Sequence, residues 1–150
     1  MEVRFISKTI TISGFSIRTD NATEMDPQTG QIAKLWQTFD KTVPVDYKNG
    51  ERIYGVYSDY ESDHTGKFTV LAGFDGNDSS SQSQLESITI PEGKYLVFSH
   101  KGDMPQIAID AWTEVWHYFS QTNTEYKRRF SIDFEFYPNG NEIEVHIAIL

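Results

Sequence analysis

Hydrophobic and polar positions along the chain alternate with a period of two in some stretches and of three to four in others. These stretches mark out the elements. Val3 to Ile17 is rich in β-branched residues, with Ile10, Ile12 and Gly14 near its middle, and predicts one long strand. Asp20 to Gly30 is polar and contains Pro27, as expected for a loop or the approach to a helix. Ile32, Leu35, Trp36 and Phe39 fall at helical spacing, predicting a short amphipathic helix over Gln31 to Phe39. Pro44 and Lys48-Asn49-Gly50 mark a connection, after which Ile53 to Tyr60 and Lys67 to Phe74 predict two strands around a polar turn containing Gly66. Asp75 to Gln84 has the composition of a linker and falls at the midpoint.

The second half follows the same order. Leu85 to Ile90 and Lys94 to His100 are strand-like, broken by a Pro91-Glu92-Gly93 turn. Asp103 is suited to cap a helix that tolerates Pro105 in its first turn. Ala108, Trp112, Val115 and Phe119 then share one face, with Trp116 beside it. Arg129 to Tyr137 predicts a strand, Pro138-Asn139-Gly140-Asn141 a hairpin turn, and Glu142 to Ile149 the last strand. Each half therefore runs strand, helix, strand, strand. The expectation is a single α+β domain over 1–150, built as a tandem β-α-β-β repeat (about 1–76 and 84–150). Two helices pack on one face of an antiparallel sheet, and a ligand cleft lies between the halves.

The last hairpin has the cleanest alternation. Phe130, Ile132, Phe134 and Phe136 point one way, and Ser131, Asp133, Glu135 and Tyr137 the other. On the partner strand Ile143, Val145, Ile147 and Ile149 share a face opposite Glu144, His146 and Ala148. The expectation is an apolar face in the core and a polar, acidic face on the other side. That second face either meets solvent, as is usual for antiparallel sheets, or places Glu135 in a cleft beside aromatic rings.

Composition narrows the chemistry. With 150 residues the chain needs no disulfide or metal to hold a core. The lack of cysteine excludes thiol catalysis, disulfide frameworks, iron–sulfur clusters and Cys-based zinc sites. A net charge of −9 argues against direct nucleic-acid binding, and the short run Lys127-Arg128-Arg129 is expected to be a solvated turn. The N-terminus shows no secretory signal, and the longest apolar runs, Tyr95–Phe98 and Ile147–Leu150, fall far short of the roughly 20 residues of a membrane span. A cytoplasmic protein without membrane contact is expected, so Asn21-Ala22-Thr23 and Asn77-Asp78-Ser79 are ordinary loop residues rather than glycosylation sites.

The four histidines (His64, His100, His117 and His146) show no metal-ligand spacing, and neither metal nor cofactor is expected. His146 is either a hydrogen-bonded sheet histidine or an acid–base partner of Glu135. No nucleophile elbow or phosphate-binding glycine loop occurs, so no catalytic residue is assigned. The two helices lie in different halves, each flanked by strands, which leaves no helix-turn-helix.

Asp133-Phe134-Glu135-Phe136-Tyr137-Pro138, followed by Glu144-Val145-His146-Ile147-Ala148-Ile149, resembles the C-terminal signature of GyrI-like effector-binding domains, which also form the ligand-sensing part of AraC-type and MerR-type multidrug regulators. Ile53-Tyr54-Gly55-Val56-Tyr57, Ile90 to Phe98 and the helix with Trp112 and Trp116 fit the same pattern in the same order. The chain looks most like short standalone members, including integron-associated effector-binding proteins. The resemblance implies pseudo-twofold symmetry and an aromatic pocket with an acidic residue at its base, matched here by Glu135. Tyr137 and His146 would be wall positions, with Tyr54, Tyr57, Trp36 and Trp112 as further aromatic walls. The implied function is capture of lipophilic, cationic aromatic molecules, a cation pairing with the carboxylate while rings stack on its body. Two alternatives follow. One is hydrolysis of reactive electrophiles with Glu135 as general base. The other is contact with a protein partner, either gyrase or a separate DNA-binding protein.

Overall fold

β-branched and aromatic segments pair into one eight-stranded antiparallel sheet in the computed structural model, which describes residues 1–76 and 85–150. Its strands are β1 (Glu2–Ile6), β2 (Ile10–Thr19), β3 (Ile53–Ser58), β4 (Phe68–Phe74), β5 (Glu86–Ile90), β6 (Gly93–Lys101), β7 (Asp133–Asn139) and β8 (Glu142–Ala148). Helices α1 (Asn21–Met25), α2 (Ile32–Thr42) and α3 (Gln106–Phe119) complete the α+β fold, with a 3-10 turn at Tyr47–Asn49. The strand order is β1-β6-β8-β7-β3-β4-β2-β5. Exchanging β1 with β5, β2 with β6, β3 with β7 and β4 with β8 reverses this order and leaves it unchanged. The halves are thus related by a pseudo-twofold axis between β3 and β7.

The long strand expected over Val3 to Ile17 is broken. β1 pairs with β6, ending at Ile6↔Gly93, while β2 pairs with β5 from Ile10↔Ile90, one residue out of step. β1–β2 and β5–β6 are therefore two bent strands laid along each other. Each half runs strand, strand, helix, strand, strand, and lends its first strand to the other half. The links between β1 and β2 and between β5 and β6 are two or three residues long, yet join opposite ends of the strand order. A chain advances only about 3.3–3.6 Å per residue, so the two ends of the sheet must lie close and the sheet must curl. Inside the curl, Ile12, Val56, Leu71, Ile90, Tyr95, Val97, Phe134 and Ala148 form one core, with Ile6 packed on it. Those residues come from all eight strands.

The other face carries the long helices. α2 buries Leu35 and Phe39 against Val70, Ala72 and Phe74, and α3 buries Ile107, Ala111 and Val115 against Leu96, Phe98 and Val145. The short α1 is an addition to the two helices expected, formed where Asp20 accepts a hydrogen bond from the Thr23 amide at 2.7 Å. Asp103, expected to cap α3, lies outside it. Pro105 occupies the N-cap position, and only the Asp103 carbonyl engages the helix, accepting from the Ile107 amide. Among the described residues no helix is long and apolar enough to cross a membrane. The midpoint linker lies largely, and Asn77-Asp78-Ser79 wholly, outside the described residues.

The last hairpin corrects the expected sharing of faces. Continuing the register of the Asn139↔Glu142 pair would set Phe134 opposite Ile147 and Phe136 opposite Val145. A bulge between Phe136 and Asn139, around Pro138, shifts the register by one. A one-residue shift moves every side chain to the other face. The pairs are instead Phe134↔His146, Glu135↔Val145 and Phe136↔Glu144. Both faces of β7 are consequently covered. His146 stacks on Phe134 at 4.2 Å, and Tyr54 packs against Phe134 and Phe136 on the same inner face. His146 and Tyr54 belong to the interior of the curl, which rules them out as cleft walls and His146 as a partner of Glu135.

Burial, with the Arg4 guanidinium 3.4 Å from Nε2 as a lesser cause, pushes the His146 pKa down to about 3. The unfolded chain protonates the ring near 6.5. Protons therefore bind preferentially to the unfolded state between these values, and stability, complete above pH 6.5, falls as pH drops through the window. In urea unfolding between pH 6 and 4, His146→Phe should flatten the dependence of stability on pH by up to about 1.4 kcal/mol per pH unit, the contribution of one proton.

Candidate functional site

The two long helices cover opposite wings of the sheet and leave the central β3–β7 pair uncovered between them. Over this pair lies a cleft of about 700 Å³. The helices present matched residues to it. Ile32, Ala33, Trp36 and Asp40 of α2 are answered, at the same spacing, by Ala108, Ile109, Trp112 and Trp116 of α3, and all eight line the cleft. The spacing returns each residue to one helix face at successive turns.

The floor carries the charge. Strand alternation turns Gly55 and Tyr57 of β3, with Glu135 and Tyr137 of β7, toward the helices, and Gly55 pairs directly across from Glu135. The pseudo-twofold axis passes through that pair and makes Tyr57 and Tyr137 equivalent. Both tyrosines donate to Glu135, Tyr137 to Oε1 at 3.0 Å and Tyr57 to Oε2 at 3.1 Å. Trp112 Nε1 donates to Oε2 at 2.7 Å. The carboxylate is 4% exposed, and among the described residues no cation pairs with it. Burial raises its pKa above the ordinary carboxylate value, opposed by the three hydrogen bonds, of which that from Trp112 counts most. The tyrosine hydroxyls are pushed well up, first by burial and then by the neighbouring carboxylate, so they remain donors.

Gly55 is what lets the carboxylate lie there. A Cβ on Gly55 would fall 2.3 Å from Glu135 Oε1 and 3.2 Å from Trp36 Cζ2. Trp36 meets the Tyr137 ring edge-on at 5.7 Å, and Trp112 packs on Tyr57 at 4.9 Å. The structure thus brings together Glu135, Tyr137, Tyr57, Trp36 and Trp112 of the expected set.

Gly55, Tyr60 and Arg128 were not anticipated. A glycine inside a strand is a recognised sign of close approach, and that signal was present at Gly55. Arg128, expected in a solvated turn, is nearly buried beside the cleft. Its guanidinium lies over the Phe130 ring at 4.3 Å and donates to the fully buried Asp133 at 2.7 Å. Asp133 also accepts from the Tyr60 hydroxyl and the Ala148 amide. This cation is committed to Asp133, which leaves Glu135 with neutral partners only.

The profile of the Cass2 family, integron-associated effector binding protein, matches residues 7–149. The chain belongs to this family. An integron cassette protein from the mobile metagenome of Vibrio cholerae, a solved structure, is 38% identical with a TM-score of 0.89, over 99% of this chain and 95% of that one. The structure of SAV2435 bound to tetraphenylphosphonium shares the fold, with a TM-score of 0.72 at 20% identity over 99% and 93% of the two chains. The transcriptional regulator BrlR of Pseudomonas aeruginosa is 29% identical over 133 residues, 79% of this chain and 46% of that protein. The chain thus spans about half the length of this curated relative. In this member of the Cass2 family, a concave, aromatic-lined cleft lies over the β3–β7 pair.

Gly55→Ala tests the geometry of the floor. The added methyl must displace the Glu135 carboxylate, and should cost about 1–3 kcal/mol in urea unfolding, as overpacking does. The Trp112 indole N–H resonance should shift with it, since its acceptor moves.

Proposed function

We propose that this protein captures lipophilic, cationic aromatic molecules in the cleft between α2 and α3, with Glu135 as the counter-charge. The observation that supports this most directly is a buried carboxylate whose described partners, Tyr57, Trp112 and Tyr137, are all neutral. Such a group has lost its water and gained no opposite charge, a cost that a bound cation offsets. Trp36, Trp112, Tyr57 and Tyr137 surround it with ring faces and edges, against which a flat apolar body stacks and a delocalised cation gains a further 0.5–2 kcal/mol or about that. A cleft of about 700 Å³ lies within the range of drug-sized ligand sites. Charge pairing and stacking read little detail of shape, so the protein accepts several scaffolds. Tetraphenylphosphonium, found bound to the fold relative SAV2435, is a suitable probe of this reading.

Calorimetric titration with tetraphenylphosphonium checks the role of charge. Glu135→Gln should weaken binding about 10- to 100-fold, the scale of a buried charge-assisted contact, while a neutral aromatic of similar size is affected far less. Equal losses for both ligands would remove the electrostatic part of the reading.

The same titration across pH separates ionisation from shape. Cation binding requires ionised Glu135, whose pKa burial holds above the ordinary carboxylate value. Affinity should therefore decline on acidification at a higher pH than a solvated carboxylate would dictate, and should stay level in Glu135→Gln.

A further inference from the structure

Arg128 lines the cleft with most of its hydrogen-bonding capacity unspent. Its side chain is only 7% exposed. Of the five N–H groups of a guanidinium, those on Nη2 alone have partners among the described residues, Asp133 at 2.7 Å and the Tyr60 hydroxyl at 3.4 Å. Nε is wholly buried without a partner. Nη1 has no partner either, but it keeps accessible surface. The rings of Phe130, Tyr60 and Phe119 stand 4.3, 5.7 and 5.9 Å from the guanidinium and shield it elsewhere. A charged donor taken out of water without an acceptor is costly, and such groups are rare in folded proteins.

This group has a defined place relative to the floor. Phe119 ends α3, so Arg128 lies at the end of the cleft under the C-terminus of that helix. Asp133 precedes Glu135 by two residues on the same face of β7, which sets the guanidinium about 7–10 Å from the Glu135 carboxylate. The twofold that exchanges Tyr57 with Tyr137 exchanges Asp133 with Ile53, so the opposite end of the cleft has no matching ion pair. The cleft is therefore directional, with an acid at its centre and a guanidinium at one end. Asp133 already balances the charge of Arg128, and an anionic group on a ligand would meet both Asp133 and Glu135. A neutral oxygen acceptor meets the open donors without that repulsion.

We propose that Arg128 forms an acceptor subsite of the cleft, so that the protein favours aromatic cations bearing a neutral carbonyl oxygen about 7–10 Å from the positive centre. This rests on the reading of Glu135 as the counter-charge and extends it to a second, oriented contact.

Two phosphonium ions form a matched pair for the test. (4-Acetylphenyl)triphenylphosphonium puts a carbonyl oxygen at the near end of that range. (4-Isopropenylphenyl)triphenylphosphonium has a methylene in its place, with the same charge and nearly the same shape. In calorimetric titration the acetyl compound should bind the wild type about five- to twentyfold more tightly, the scale of a hydrogen bond to a charged group. The ionised 4-carboxyphenyl analogue should bind more weakly than the acetyl compound. Arg128→Lys, which keeps a cation for Asp133 but removes the fork, should narrow the preference. The double variant Arg128→Met with Asp133→Asn, which leaves no unpaired buried charge, should abolish it without weakening the isopropenyl compound. Glu135→Gln should weaken both compounds while the preference stays. In the unaltered protein, the Arg128 Nη resonances should shift with the acetyl compound and stay in place with the isopropenyl one. Equal affinity of the matched pair for the wild type, tighter binding of the carboxylate analogue, or a preference that survives in the double variant would overturn the subsite with the cation site intact. Failure of both compounds to bind the wild type would remove the cation site, and the subsite with it.

Discussion

A single carboxylate held in an almost dry place by neutral donors is the constraint around which the cleft is arranged. Glu135 is out of water, and its three partners come from three elements: Tyr57 from β3, Tyr137 from β7 and Trp112 from α3. Each donor is itself fixed by packing, the two tyrosines on the pseudo-symmetric floor and Trp112 against the Tyr57 ring. The absence of a side chain at Gly55 is part of the same arrangement, because the carboxylate occupies the space a Cβ would take. The carboxylate is therefore oriented by neutral donors alone.

The neighbouring carboxylate shows the alternative outcome. Asp133 lies two residues away on the same face of β7 and is fully buried, but Arg128 closes on it and aromatic rings of Phe130, Tyr60 and Phe119 surround that guanidinium. One buried acid is internally paired and ties the segment before β7 to the sheet. The other is solvated by hydrogen bonds alone. The difference in partner separates a group that holds the fold together from a group that faces a cavity.

Much of this is legible in the sequence. Period-two and period-four patterns marked the α+β repeat, and the five cleft residues Trp36, Tyr57, Trp112, Glu135 and Tyr137 were all among those singled out. What the pattern missed were non-local events of one residue. The bulge around Pro138 reverses which β8 residues share a face with Glu135, so His146 turns inward, whereas Tyr54, opposite Phe136 and next to Gly55, is turned inward by alternation along β3 itself. Periodicity along one strand carries no information about its register with the next. The break between Ile6 and Ile10 has the same origin, since it depends on a change of partner strand. Arg128 looked like surface because basic runs usually are, and only the distant Tyr60 and the nearby Asp133 and Phe130 make its burial tolerable. At Gly55 the sign was present in the sequence, but what the glycine makes room for lies eighty residues further on.

The Gly55–Glu135 pair has an implication for how such a site arises. Two identical subunits related by a true twofold axis must present the same residue from both sides, so a glutamate on the axis would come with its twin. Here the twin's Cβ would meet the first carboxylate at 2.3 Å, and two negative charges would share one dry space. A homodimer of half-length chains could thus have both glutamates in conflict or none at all. Joining the halves in one polypeptide releases them from identity. One copy keeps the acid, the other gives up its side chain, and an odd number of charges can stand on an even-numbered scaffold.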